Sequence, residues 1–200
     1  TDEQASAWTE AFDSGKFVRK SSEFRDFISK GGAFDVESGR YHLYISHACP
    51  WAHRTLIMRT LLGLEDHISV DVVDWRMNAD GSWSFNPDEE GATADTVNGE
   101  SSLEGIYNRA FEGWNESRSI GTVPVLWDKK HATIVNNESR EIIRMFDQFS
   151  KEGFGNGTTL CPPELMQEID NMIDANYESV NNGVYKSGFA RTQEAYDEAV

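Results

Sequence analysis

The chain has 200 residues, 38% of them hydrophobic and 26% charged, which is enough to bury one sizeable core and excludes disorder as its general state. Thirty-four Asp and Glu stand against 18 Lys and Arg, a net charge of −16, and such a field repels phosphate backbones and anionic bilayers. With 7 Lys, 11 Arg and no basic patch, the expectation is no nucleic-acid and no membrane partner, and high acidity with scarce Lys predicts a halophilic source.

Residues 1–39 are polar with scattered aromatics, among them Trp8, Phe12, Phe17, Phe24, Phe27 and Phe34, and read as an irregular N-terminal extension. Tyr41 to Ser46 is strand-like, Pro50 takes the first-turn position of a helix running to about Leu62, and Gly63 stops it. His67 to Trp75 alternates as a second strand. Residues 76–119, rich in turn formers and acidic side chains, predict a long insertion with a short helix near Leu103 to Phe111. Thr122 to Trp127 and His131 to Val135, joined by Asp128-Lys129-Lys130, predict a hairpin. Asn136-Asn137 then reads as an N-cap for a helix over Glu138 to Phe149. After a linker, Glu164 to Val180 and Thr192 to Val200 predict further helices.

The order β-α-β, insertion, β-β-α predicts an α/β fold over residues 40–150, followed by a linker at 151–163 and helices over 164–200. The last helix has no stop signal, so the chain is expected to continue beyond Val200. No stretch approaches the roughly eighteen apolar residues of a membrane span, and Thr1-Asp2-Glu3-Gln4 lacks a basic leader, so the reading is a cytoplasmic protein.

Cys49 falls between a strand end and a helix start, where the partial positive charge of the helix favours thiolate over thiol. It reads either as a nucleophile or as a small buried hydrophobe, and the strand–Cys–Pro–helix setting favours the nucleophile. Position 52 is Ala, which cannot resolve a mixed disulfide, so a small thiol cosubstrate from solution is implied. A zinc reading on Cys49, His53 and His47 is poorly supported, and no metal is expected. His42 and His67 read as surface packing or capping residues, and Cys161 as an inert linker cysteine. Pro124, entering a strand after a long loop, is either a cis-proline presenting Val123 to an extended ligand or an ordinary edge-strand proline. Glu138-Ser139 at a helix start reads either as plain capping or as a receptor in which Ser139 and backbone N–H groups hold a carboxylate and Glu138 an ammonium.

Together these segments resemble the thioredoxin-like domain of glutathione transferases. Five strings go further: Cys49-Pro50-Trp51-Ala52-His53-Arg54, Gly81-Ser82-Trp83-Ser84-Phe85, Thr122 to Asp128, Ile134 to Ser139, and Asn182 to Ala190. They are similar to the glutathionyl-hydroquinone reductases, the xi-class transferases, over roughly residues 40–200. The resemblance implies a thioredoxin-like N-terminal domain followed by the start of an all-α domain. It also implies a two-step reaction in which Cys49 attacks the sulfur of an S-glutathionyl hydroquinone and a second glutathione, or a γ-glutamylcysteine, regenerates it. By the same resemblance Trp83, Ile120, Gly121, Thr122, Val123, Pro124, Glu138 and Ser139 bind the thiol, and Tyr185 orients or protonates the aromatic leaving group. From their residues alone, Trp83 reads equally as a lid aromatic and Tyr185 as a buried loop anchor. The partners implied are the small thiol and an aromatic conjugate, with a homodimer in the full-length protein. Competing expectations are a general thioltransferase, a reductive dehalogenase using the same cysteine, or a non-catalytic thioredoxin-like redox module.

Overall fold

The structure is a computed structural model that describes residues 12–79, 81–114 and 121–200, with the backbone alone at 12 and 13. It divides into two compact units, Ser22–Leu160 and the described part of Thr1–Ser21 together with Cys161–Val200.

The second of these units begins with β1 (Phe12–Asp13) and β2 (Lys16–Phe17), an antiparallel pair in which Asp13 opposes Lys16. Ser14 and Gly15 between them have φ of 49° and 83°, the positive values that a two-residue hairpin loop of the primed type demands. A hairpin therefore stands where the sequence reading has irregular chain, and the Ser-Gly dipeptide was its local signal.

The larger unit is built on β3 (Tyr41–Ile45), whose five side chains are all buried, as befits a strand covered on both faces. Helix α1 (Pro50–Leu61) follows, closed by Gly63 at φ 66°, and then β4 (Ile68–Val72), parallel to β3 with Tyr41 opposite Ile68. The insertion contains α2 (Leu103–Ala110). β5 (Val125–Asp128) and β6 (Thr133–Asn136) complete a four-stranded sheet of order β4-β3-β5-β6, with β5 antiparallel to both neighbours. Helix α3 (Ser139–Lys151) packs against α1 and buries Ile142, Met145, Phe146 and Phe149. Their i, i+3, i+4, i+7 spacing forms one apolar stripe, and each buried side chain contributes about 1.5–3 kcal/mol. This is a thioredoxin-like domain, as expected. Among the described residues no helix is long and apolar enough to cross a membrane.

The expected extension over 1–39 splits between the two units. Residues 24–26 run beside β6, where Asp26 N–H donates to Val135 O at 3.0 Å and Asn137 N–H to Phe24 O at 3.1 Å, so that edge is covered. The expected linker is likewise divided. Its first half is held by the larger unit: Asn156 N–H donates to Leu62 O at 2.9 Å, and Leu160 N–H to Asp147 Oδ1 at 2.6 Å. Gly155 has φ 68°, and a Cβ there would fall 2.1 Å from Leu62 O. Gly155→Ala is therefore expected to cost at least about 1–3 kcal/mol, read as a lowered midpoint of denaturant unfolding at unchanged slope.

Two other expectations are corrected. His42 is fully buried rather than on the surface: its Nδ1 is 2.7 Å from Ser69 Oγ and its Nε2 3.2 Å from Asp71 Oδ2. Burial pushes the Asp71 carboxyl up, but hydrogen bonds from His42 and Thr96 outweigh it and hold the group below its ordinary value. The cap of α3 is Glu138, whose side chain accepts from Arg140 N–H, and not the preceding asparagines. Asn136 Oδ1 instead accepts from Glu138 N–H at 2.7 Å, and Asn137 Oδ1 accepts from Phe24 N–H at 3.2 Å.

The smaller unit continues with a 3₁₀ turn at Pro163–Leu165, α4 (Met166–Asn176), a π turn at Tyr177–Asn181, α5 (Gly183–Gly188) and α6 (Gln193–Ala199). The one long helix expected over 164–180 is thus broken, and α5 lies in the stretch between the two expected helices. Thr192 caps α6 by accepting from Ala195 N–H.

Candidate functional site

Cys49 occupies the N-cap of α1 with extended backbone, φ −99° and ψ 113°. Pro50 suits the next position because its φ is already helical and the N–H it lacks would have no partner within the helix. Cys49 O accepts from His53 N–H at 2.9 Å and Cys49 N–H donates to Ser46 O at 3.1 Å, so the sulfur is carried just beyond the end of β3. It is half-buried and outside any disulfide, and the thiol donates to Val123 O at 3.6 Å. The Val123–Pro124 bond is cis. Ala52, at the position a second cysteine would need, is fully buried.

The segment before β5 is held by Tyr107 of α2. The Tyr107 hydroxyl donates to Thr122 O at 2.8 Å and accepts from Thr122 N–H at 3.3 Å and from Asn137 Nδ2 at 3.0 Å. One fully buried phenol thus ties the Thr122–Val123 segment to the corner leading into Glu138. Burial pushes the phenol up, against the opposing pull of its bonds with Thr122 and Asn137, so it stays protonated and able to donate. Trp114 lies 4.5 Å from its ring and Phe24 5.7 Å. Gly121 passes close by: a Cβ there would approach the ring at 3.1 Å.

Glu138 and Ser139 form the other wall. Glu138 Oε1 accepts from Arg140 N–H at 3.1 Å, and Oε2 accepts from Ser22 Oγ at 3.2 Å. Ser139, only 4% exposed, accepts from Arg54 Nε at 2.9 Å and from Arg54 Nη2 at 2.6 Å. The same guanidinium reaches Glu138 Oε1 at 3.5 Å and lies 4.9 Å from the Trp51 ring centroid. Trp83 is half-buried against the core, and its carbonyl accepts from Leu103 N–H at 2.9 Å, which joins the insertion to the start of α2.

The larger unit therefore contains Cys49, Trp83, Gly121, Thr122, Val123, Pro124, Glu138 and Ser139. Ile120 lies outside the described residues. Tyr185 belongs to the smaller unit, where its ring stacks with Phe17 at 5.9 Å and Phe189 at 6.1 Å and the Arg19 guanidinium sits 4.3 Å from its centroid. Cys161, in the same unit, is 5% exposed with Sγ 3.3 Å from Met166 Sδ, the setting of a packed hydrophobe. Among the described residues no group of three or more His, Cys, Asp or Glu is placed to hold a metal ion.

Two residues of this arrangement were missed in the sequence reading, Arg54 and Tyr107. Arg54 follows Trp51 by three residues and so shares its helix face, a local signal that was available. Nothing local distinguishes Tyr107, whose partners lie 15 and 30 residues away. Chemically, the site offers a reduced cysteine at a helix N-terminus, a backbone carbonyl beside it, and a carboxylate–hydroxyl pair at a second helix N-terminus.

Residues 48–148 match the family described as glutathione S-transferase, N-terminal domain. The chain is 49% identical over 194 residues to the glutathionyl-hydroquinone reductase YqjG of Escherichia coli (strain K12), covering 93% of this chain and 58% of that relative. It is similar to the crystal structure of the glutathione-S-transferase Xi from Phanerochaete chrysosporium, with a TM-score of 0.85 and 47% identity over 92% of this chain and 62% of that one. The glutathione-bound structure of YqjG gives a TM-score of 0.80 at 47% identity, over 88% and 59% of the two chains. The chain thus spans 58 to 62% of the length of these relatives.

Proposed function

The chain belongs to the glutathione S-transferase family, and from that premise we propose that the protein is an xi-class, thiol-dependent reductase that removes glutathione, or a related γ-glutamyl thiol, from S-glutathionyl-hydroquinones. Cys49 is the nucleophile. Its thiolate attacks the sulfur of the conjugate, the bond from sulfur to the aromatic carbon breaks, its electron pair passes to that carbon, and the carbon takes up a proton. A second thiolate then attacks the Cys49–glutathione disulfide, releasing oxidised thiol and regenerating Cys49. Glutathione is the cosubstrate. Trp83, the 120–124 segment, Glu138 and Ser139 bind it, and Tyr185 orients or protonates the leaving hydroquinone.

The observation that carries this reading is the placement of Cys49 Sγ at the N-terminus of α1, 3.6 Å from the carbonyl that precedes the cis-proline, with Ala52 where an internal resolving thiol would stand. The names of the similar proteins supply the substrate class. The same reading takes the protein as cytoplasmic, since a cysteine that works as a reduced nucleophile suits a reducing compartment. It takes the source as halophilic from the −16 charge and 7 Lys. A homodimer of the full-length protein is consistent with exposed apolar side chains such as Met172, Val180 and Val184.

Intact-mass analysis with peptide mapping, after incubation with a glutathionyl-hydroquinone and no free thiol, is expected to find one glutathione on Cys49, with stoichiometric release of hydroquinone and full reversal by added glutathione. An adduct on Cys161 with Cys49 unmodified overturns the assignment.

A further inference from the structure

We propose that Arg54 is a positioning residue that turns the Ser139 hydroxyl into an obligate hydrogen-bond donor, and so selects thiols whose far end carries an α-carboxylate. The inference rests on the reading that Ser139 binds the thiol cosubstrate.

A serine hydroxyl has one hydrogen and two acceptor lone pairs, and by itself it recognises a donor as readily as an acceptor. Here the two donations from the guanidinium, at 2.9 and 2.6 Å, occupy both lone pairs of Ser139 Oγ. What remains is the hydroxyl hydrogen, which can only seek an acceptor. Ser139 is also the first residue of α3, so the hydroxyl lies where first-turn N–H groups and the helix dipole favour an anion. The neighbouring group has the opposite character: Glu138 is a carboxylate that accepts from Arg140 N–H and Ser22 Oγ. A committed donor beside a committed acceptor matches the paired carboxylate and ammonium of an α-amino acid end, in one orientation only.

The guanidinium cannot easily rotate out of this role. Trp51 covers its face at 4.9 Å, Ser139 takes its edge, and Glu138 Oε1 stands 3.5 Å from Nη2. Arg54 lies five residues along the helix that carries Cys49 at its N-cap, an axial rise of about 7.5 Å. Arg54 therefore links the helix that presents the sulfur to the residue that recognises the opposite end of the thiol. In a chain of charge −16 it also supplies a local cation where an anionic ligand must settle.

The test is the rate at which Cys49 forms a mixed disulfide with oxidised glutathione and with cystamine, a disulfide lacking the α-carboxylate. In each case Cys49 attacks one sulfur, the S–S bond breaks, and one equivalent of thiolate leaves. The native protein is expected to prefer oxidised glutathione. Arg54→Met is expected to lower that preference about tenfold, the loss expected for one charge-assisted contact, with Cys49 alkylation by iodoacetamide within about twofold of native. Arg54→Lys keeps the charge but not the fork, and its preference is expected to fall between the two. Ser139→Ala should lower the preference to the same extent, and Arg54→Met added to it should change nothing more. If Ser139→Ala lowers the preference and Arg54→Met does not, the role of Arg54 is overturned while the thiol site stands. If Ser139→Ala itself leaves the preference intact, the thiol-site reading is what fails. A fall by the same factor in both disulfide reactions and in alkylation marks Arg54 as merely structural, and also overturns the proposal.

Discussion

Replacing Cys49 with serine is expected to reduce turnover of a glutathionyl-hydroquinone by at least about a thousandfold while leaving the fold intact. A serine hydroxyl is not ionised near neutral pH and cannot form a disulfide, so both steps of the proposed cycle lose their nucleophile together. The change is nearly isosteric. The Sγ position is half-buried and its thiol makes a contact of 3.6 Å to Val123 O that a hydroxyl can also make. Melting temperature should therefore move little, which separates lost chemistry from lost structure. The measurement is release of hydroquinone and formation of oxidised thiol under matched conditions. Turnover by Cys49→Ser at the native rate would refute covalent catalysis at this residue, including the thioltransferase and dehalogenase alternatives. Alkylation supplies an independent check: iodoacetamide should modify Cys49 well before Cys161, which is only 5% exposed and packed on Met166.

The largest expected loss of stability comes from Arg40→Leu. Arg40 binds Asp128 through Nε at 2.8 Å and Nη2 at 2.6 Å, with the two side chains 3% and 0% exposed. Removing the cation leaves a buried carboxylate with only Lys130 N–H and the His131 ring, each at 2.9 Å. Orphaning one member of such a pair costs about 3–5 kcal/mol, a fall in melting temperature of about 6–20 °C for a chain of this size. The double variant Arg40→Leu with Asp128→Leu should recover much of the loss, because no charge is then left buried. The deficit should also depend on pH, with a sign that can be worked out. Burial pushes the Asp128 carboxyl up, but the hydrogen bonds from Arg40 and Lys130 N–H outweigh it and hold the group below its ordinary 3.8. Its stabilising contribution is therefore complete above that value and is lost as pH falls through the lower folded value. Without Arg40 the burial effect goes unopposed and Asp128 takes up its proton more readily. Native protein and variant should then converge as pH drops towards about 4. An equal difference in melting temperature at pH 7 and pH 4 would show that the pair does not act through its charge.

Much of the larger unit was legible in residue order because its signals are local. The start of α1 at Pro50 and its stop at Gly63 follow from backbone chemistry within a few residues. The turn between β5 and β6 follows from Asp128, whose Oδ1 accepts from Lys130 N–H two residues on. Helix α3 follows from apolar spacing. The misreadings have local explanations as well. Asn136-Asn137 is a plausible cap by composition, but its side chains are used on Glu138 N–H, Phe24 N–H and Tyr107, and the next residue caps instead. His42 lies in a strand with no pattern to tell inward from outward, since all five residues of β3 are buried.

Composition and short-range pattern were sufficient for the acidic field, the α/β order and the placing of a cysteine at a helix N-terminus. Each depends on a sum over residues or on atoms within one or two turns of chain. Folding alone decided who meets whom: Arg54 with Ser139 across 85 residues, Tyr107 with Asn137 across 30, Arg40 with Asp128 across 88. Those pairings depend on strand order, on register and on how α1 lies against α3. A hydrogen bond or an ion pair is worth something only at contact distance, so no stretch of sequence carries it until the sheet has brought its two ends together.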